Sequence, residues 1–457
     1  VDLLWLKRWY LLCFLLLFAL AIPSAHAQEV SPSQVEEEAI YLSLGRCMEM
    51  ALKHPPNLAL AQYQKSSASA DKLAGWGGLL PTVSLGGSFN RSWGTSYGTL
   101  GFGGFGDFGD LFDFGGEVQN MYRFDATVTA PLISPLSWFS LLASRASYKA
   151  AELGYEIERE KLAVEVSRAY FSILQAEKML SSAEYFHQAA SRHLDLAEKM
   201  YELGGVSQID VLTAQTAEAN AMLVLISARN AFEVTKMNLC YLVGLPVDSS
   251  ITLQDVVDFP LETLEYEECL QCALMNRKEI LSVEKELAAA DYSKWASISG
   301  KLPHLSGVGS YYWSDDTLDF GDWRDNDGYS IGVQISLNLF DGLSTESAIA
   351  RARAAKKLAE IKQQQSDESI SLEVRSAYLS AQEASERMVV AKRAMVQASL
   401  ELELAERRYE LEAGSIIELT DAQATYSKAN GNYISAVYDY QMAAIELERA
   451  VGTLSLP

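Results

Sequence analysis

Two stretches of the chain read almost alike: YELGGVSQIDVLTAQ at residues 201–215 and YELEAGSIIELTDAQ at residues 409–423, 208 positions apart. Neither carries a metal, phosphate or nucleophile signature, so their meaning lies in what surrounds them. The repetition extends upstream. Glu165-Val166-x-x-Ala169-Tyr170 returns as Glu373-Val374-x-x-Ala377-Tyr378 at the same offset. Cys47, Ala51 and Leu80-Pro81 return as Cys269, Ala273 and Leu302-Pro303 at an offset of 222. A Gly/Phe-rich insertion of about 14 residues, within 94–116 of the first copy, accounts for the difference. Each half therefore reads helix, hairpin, long helix, turn, helix.

The long helices carry the strongest periodic signal. Leu162, Val166, Ala169, Ile173, Ala176, Leu180, Ala183, His187, Ala190, Leu194, Ala197 and Tyr201 follow a 4-3-4-3 spacing. The second copy matches it with Ile370, Val374, Ala377, Ala381, Ala384, Met388, Ala391, Met395, Ala398, Leu402, Ala405 and Tyr409. This is a heptad seam, which predicts left-handed supercoiling. One seam position is alanine in five successive heptads of both copies, which allows close helix approach. His187 interrupts the seam as a histidine packed between helices. A helix from about 136 to 203 would be ~100 Å long, more than an ordinary globular domain needs.

Four segments instead alternate with period two. Val83, Leu85, Gly87, Phe89 and Trp93 share one face; so do Tyr122, Phe124, Ala126, Val128, Ala130 and Leu132. Leu305 through Trp313 and Tyr329 through Leu339 repeat the pattern, with serine, threonine and asparagine on the opposite faces. Each strand is about 10 residues, the length a tilted transmembrane strand needs, and aromatics gather at the strand ends as in interfacial girdles. A soluble half-buried sheet alternates equally well. If the sheet lies in a membrane, four strands are too few to close a barrel, and several copies must build one.

Composition narrows the class. The chain has 457 residues, 49% hydrophobic and 21% charged, with a formal net charge of −23. That balance argues against nucleic-acid partners. Lys7 and Arg8, an apolar run over 11–22 and Ala25-His26-Ala27 form a secretory signal peptide with cleavage expected between Ala27 and Gln28. No run of 18 apolar residues follows it. Cys47, Cys240, Cys269 and Cys272 read as small buried residues, since Cys269-x-x-Cys272 has no second such pair. There is no HExxH, P-loop or G-x-S-x-G, so no catalytic residue, metal site or cofactor is assigned, and no enzyme activity is expected.

The two-copy order, the paired hairpins and the repeated Tyr-x-x-Gly/Ala…Asp/Glu-x-Leu-x-x-Ala-Gln phrase resemble the TolC family of outer-membrane efflux channels, over nearly the whole chain beyond the signal segment. The resemblance implies an α+β membrane protein built from a duplicated helix–β-hairpin–long helix–helix unit. It implies a homotrimer whose 12-stranded β-barrel sits in outer-membrane lipid and continues as a periplasmic α-helical coiled-coil barrel. A periplasmic adaptor and an inner-membrane RND or ABC transporter would complete an efflux or type I secretion path, the channel itself being a passive duct. The repeated phrases become the turns at the periplasmic tip, with Gly204, Gly205, Val206, Ser207, Gly414 and Ser415 as turn and adaptor-docking residues. By position Glu418 and Asp421 match an acidic entrance ring, and Tyr409 and Asp210 match residues that hold the entrance shut. Glu418 and Asp421 read equally as acids of a helix's first turn, favoured by its dipole. Members of the family can carry a basic residue where this chain has Gly414, so an arginine latch there is not implied. The insertion's Gly103-Gly104-x-Gly106-Asp107 lacks the register of a calcium-binding repeat and reads as an extracellular loop.

The expected organisation is a signal peptide (1–27), a first repeat (28–245; β-hairpin about 81–134, long helical hairpin about 136–245), an inter-repeat linker or equatorial region (246–262), a second repeat (263–453; β-hairpin about 303–341, helical hairpin about 343–452) and a tail (454–457). The rival reading is a periplasmic coiled-coil adaptor or structural protein. It would place one helical hairpin in one β domain, whereas two hairpins stand here in matching positions.

Overall fold

The structure, a computed structural model, describes residues 40–53, 56–94, 117–255, 265–318, 326–411 and 413–454. The signal segment with Ala27 and Gln28, most of the Gly/Phe-rich insertion and much of the inter-repeat linker lie outside the described residues. In chain order the elements are β1 (Ile40–Leu42), α1 (Leu44–Lys53), α2 (Pro56–Gly77), β2 (Thr82–Gly94), β3 (Glu117–Ile133), α3 (Pro135–Glu202) and α4 (Gln208–Val243). Then follow β4 (Ile251–Leu253), α5 (Tyr266–Asn276), α6 (Lys278–Ser299), β5 (His304–Asp315), β6 (Asp327–Ser336), α7 (Ser344–Glu410) and α8 (Ile416–Val451).

The sheet is antiparallel throughout, in the order β2-β3-β5-β6, so the two hairpins join through β3 and β5. Its register lines up like with like. One row across the four strands is Ser84, Thr127, Ser310 and Ser330; the next row on the other face is Leu85, Ala126, Tyr311 and Tyr329. Ser310 Oγ and Ser330 Oγ lie 2.7 Å apart on the hydroxyl face. The apolar face is largely exposed, Leu85 at 84% and Ile331 at 88%, with Trp313 buried within it. Strand β3, at 17 residues, is longer than the alternating pattern predicts and bulges between Pro131 and Ile133. Pro131 has no N–H for the ladder, which accounts for the irregularity there.

Helix α3 is the common strut. Ser134 caps it, Pro135 occupies its first turn, and no later proline interrupts its 68 residues. At the usual rise it is ~100 Å long. Its first half packs against α2 and α6, its second half against α4 and α8. Lys278 Nζ meets Glu160 Oε1 at 2.9 Å, and Ser282 Oγ donates to Ala150 O at 3.2 Å, fixing α6 on α3. Arg168 Nη2 meets Glu446 Oε1 at 2.6 Å, and Asn430 Nδ2 donates to Ser182 Oγ at 2.8 Å, fixing α8. His187 bridges α3 to α4, its Nε2 3.2 Å from Glu218 Oε1.

The seam is used in both copies. Leu162, Val166, Ile173, Ala176, Ala183, Ala190 and Ala197 are buried in α3, and Ile370, Val374, Ala381, Ala384, Ala398, Leu402 and Ala405 in α7. The last pair differs: Tyr409 is 4% exposed and Tyr201 46%. Tyr409 faces both helical hairpins at once, whereas Tyr201 lies outside that contact. Helix α4 holds a further surprise. No unbroken apolar run marks it, yet it includes an 18-residue window apolar enough for a membrane span, and that window is mostly exposed. Its hydroxyls hide the character, because Thr213, Thr216, Ser227 and Thr235 bond back to carbonyls of their own helix.

The main core gathers where the repeats meet. Cys47, Ala51, Leu162, Val166, Tyr170, Leu239 and Val243 of the first copy pack with Tyr438 of the second; Cys269, Ala273, Ile370 and Val374 pack with Ala450 and Val451 within the second copy. The Tyr170 hydroxyl donates to Gln254 O at 2.5 Å and to Leu42 O at 3.3 Å. The second core replaces this with charge. Arg277, 4% exposed, donates from Nε and Nη2 to both oxygens of Glu279 (3.1 and 2.7 Å) and from Nη1 to Glu373 (2.6 Å), which Arg449 also holds. Replacing Arg277 by Ala strands Glu279 and leaves Glu373 to Arg449 alone. The expected loss is about 3 kcal/mol, the low end for a broken buried pair because both carboxylates remain partly exposed. Arg277→Lys should recover only part of it, since an ammonium cannot form the fork. The denaturation midpoints of the two variants check this.

Candidate functional site

Both long helices end in the same backbone device. Leu203 N–H donates to Lys199 O (3.2 Å) and Gly205 N–H to Met200 O (2.8 Å); Leu411 N–H donates to Arg407 O (3.1 Å) and Ala413 N–H to Arg408 O (2.8 Å). These bonds satisfy last-turn carbonyls that a helix otherwise leaves open. Gly204 stands in the left-handed region at φ 78°. Gly414 does not: at offset 208 it aligns with Val206, and what it supplies is room. A Cβ there would lie 3.1 Å from Arg408 Cβ and 3.3 Å from the Tyr409 nitrogen.

Ser207 and Ser415 then open α4 and α8. Ser207 Oγ accepts from Asp210 N–H at 3.4 Å, while Asp210 Oδ2 accepts from Ser207 N–H at 2.8 Å and from its hydroxyl at 2.7 Å, a reciprocal capping box. Ser415 Oγ accepts from Glu418 N–H at 3.2 Å. Here the copies part. The Glu418 carboxylate does not turn back to its cap but meets Arg408 Nη1 at 2.9 Å, and Arg408 Nη2 donates to Ala413 O at 3.3 Å. Asp421, three residues on, is exposed and has no ion-pair partner among the described residues.

Beneath the turns a small core joins the two hairpins. It holds Ala197 of α3, Ala214 of α4, Leu402, Ala405 and Tyr409 of α7, and Ile416, Leu419 and Ala422 of α8. The Tyr409 hydroxyl is buried without a hydrogen-bond partner among the described residues. Burial, and then the charge of Asp210, push its pKa up. So Tyr409 and Asp210 are neighbours, but the structure does not join them by a hydrogen bond; Asp210 is engaged by Ser207. Against Tyr409 stands His193, ring centroids 6.5 Å apart and nearly perpendicular, with its Nε2 3.9 Å from Glu406 Oε1. Burial and then Arg192 push His193 down; burial and then Glu410 push Glu406 up.

Three of these residues escaped the sequence reading: Arg408, His193 and Glu406. A signal for Arg408 existed. The repeat pairs it with Met200, a partly buried apolar residue of the tip core, so a cation replaces a thioether in an otherwise matched phrase. The Ser-x-x-Asp of 207–210 was likewise a legible capping box. His193 and Glu406 carry no signal, because nothing in the sequence says that α3 and α7 meet there. Beside the tip lies a groove of about 1070 Å³ between α3, α4 and α8, lined by Phe186, Ile209, Leu212, Val224, Thr420 and Gln423 among others.

A family model described as outer membrane efflux protein matches residues 47–245 and 269–453. The chain is 24% identical over 421 residues to outer membrane protein TolC of Vibrio cholerae, covering 90% of this chain and 91% of that protein. It is 22% identical over 439 residues to alkaline protease secretion protein AprF of Pseudomonas aeruginosa, covering 92% and 86%. Among solved structures, the CmeC outer membrane channel of Campylobacter jejuni superposes with a TM-score of 0.76 at 18% identity, covering 94% of each chain; this is a likeness of fold.

Two outcomes follow from the tip geometry. Gly204→Ala should cost ~1–2 kcal/mol, the penalty of a left-handed L-residue, while Gly205→Ala, outside that region, should be near neutral in the same denaturation experiment. The second concerns pH. A histidine whose folded pKa is lowered binds fewer protons folded than unfolded, so its share of stability is present above 6.5 and lost as pH falls below it. Glu406, raised, works the opposite way as it takes up a proton. Proteolysis at the tip should therefore accelerate as pH falls below about 6.5, with His193→Gln flattening that rise.

Proposed function

The chain belongs to the outer membrane efflux protein family, and on that premise we propose that it is the outer-membrane duct of a tripartite efflux or type I secretion system, working as a homotrimer. The observation that carries the reading is the four-stranded sheet with unpaired edges at β2 and β6 and one largely apolar face whose side chains, Leu85 and Ile331 among them, are mostly exposed. Lipid cannot face unpaired strand edges, and four strands are below the eight or so of the smallest membrane barrels. Three copies joined edge to edge make a closed barrel of 12 strands, with the Ser84–Thr127–Ser310–Ser330 row facing a watery lumen.

The helices also support an assembly of several copies. The exposed apolar residues of α4, among them Leu212, Leu223, Val224 and Ile226, need a covering partner, which a second copy supplies. The helical portion then continues the barrel as a periplasmic coiled-coil tunnel, and the duplicated turns form its far end. There Gly204, Gly205, Val206, Ser207, Gly414 and Ser415 meet an adaptor. Glu418 and Asp421 ring the entrance, and Tyr409 and Asp210 belong to the contact between hairpins that must loosen for opening. The duct itself performs no chemistry; an inner-membrane RND or ABC transporter drives the cargo. That a relative bears the name of a protease secretion protein supports keeping polypeptides among the cargo classes.

Mass measurement in detergent tests the assembly: a trimer is expected, and a stable monomer with a barrel signature overturns the strand argument. Conductance tests the gate. The double change Glu418→Gln with Asp421→Asn should weaken cation preference and abolish block by polyvalent cations in planar bilayers. Unchanged selectivity and block would place the constriction elsewhere.

A further inference from the structure

The two acids proposed at the entrance are not in equal circumstances. Glu418 is 2.9 Å from a guanidinium nitrogen of Arg408, whereas Asp421 has no cationic partner among the described residues. Arg408 is held there from two sides: its second terminal nitrogen reaches Ala413 O at 3.3 Å, across the turn. The turn also packs closely on the start of that side chain and its backbone. Gly414 leaves empty the position where a Cβ would stand 3.1 Å from Arg408 Cβ. In the first copy the corresponding positions are Met200 and Val206, and the corresponding acid, Asp210, bonds its own cap. The cation and the missing side chain thus occur together, and only in the second copy.

We propose that Arg408 is the residue that sets the charge of the periplasmic entrance ring, cancelling Glu418 within each subunit so that, of the two ring acids, Asp421 alone is left uncompensated. This rests on the reading of Glu418 and Asp421 as entrance residues. It changes what that entrance is: one net carboxylate per subunit, not two. Exposed ion pairs contribute little to folding, so the pair's effect is on the field in the pore.

Planar bilayers under a salt gradient read this directly as the cation-to-anion permeability ratio. Arg408→Gln should raise the ratio roughly twofold at about 0.1 M salt, and more at lower salt, as unscreened charge is added near the axis. Arg408→Lys should keep the original ratio, since it keeps the charge. Glu418→Gln alone should lower the ratio by freeing Arg408, and Arg408→Gln combined with Glu418→Gln should restore it. Thermal unfolding of Arg408→Gln should match the unsubstituted protein, excluding a folding effect. The outcomes separate the two readings. If Asp421→Asn lowers the ratio but Arg408→Gln leaves it unchanged, Arg408 has no such role and the entrance assignment stands. If neither substitution moves the ratio, the entrance assignment itself is wrong, and the role of Arg408 falls with it.

Discussion

Everything in this fold depends on how closely α3 can be approached. It touches both halves of the chain: α2 and α4 of the first copy, and α6 and α8 of the second. Alanine at one seam position in successive heptads makes this possible, because a small side chain lets helix axes draw together and leaves the flanking larger residues to interlock. Ala176, Ala183, Ala190 and Ala197 are all buried along that line. A bulkier residue there would push apart hairpins whose polar links, such as Asn430 to Ser182, reach only across a close gap.

Duplication supplies the scaffold, and divergence supplies the differences in use. Equivalent residues face unlike surroundings. Tyr170 is a fully buried donor to two carbonyls, while its counterpart Tyr378 stacks edgewise on Tyr266. Glu165 is exposed, while its counterpart Glu373 lies between two arginines. Asp210 closes a capping box, while Glu418 is taken by Arg408. In each case the backbone device is kept and the side chain is reassigned. Two identical repeats would give two identical hairpins; the reassignments make one of them distinct at the tip.

A single chain is an incomplete object. Its sheet has unsatisfied edges, its apolar strand face is largely exposed, and α4 exposes a stripe of large aliphatic side chains. These features are costly in isolation and coherent in an assembly, since the groups left open are the ones a neighbouring copy and lipid would cover. Membership in an outer membrane efflux family and the largely exposed sheet face point to the same environment by independent routes.

The order of elements was readable because periodicity is local: heptads mark helices, alternation marks strands, and a repeated phrase marks two turns. The sequence by itself determined the duplication, the long helices and the paired hairpins. What it could not determine depends on which surfaces meet. That Tyr409 is buried while Tyr201 is not, that His193 lies against Glu406, and that Arg408 folds over Gly414 onto Glu418 are all decided by tertiary contacts. The physical reason is range. Backbone preference and hydrophobic period act over a few residues, whereas the partner of a charged or aromatic side chain is set by the packing of helices distant in the chain, and that packing exists only once the whole bundle has formed.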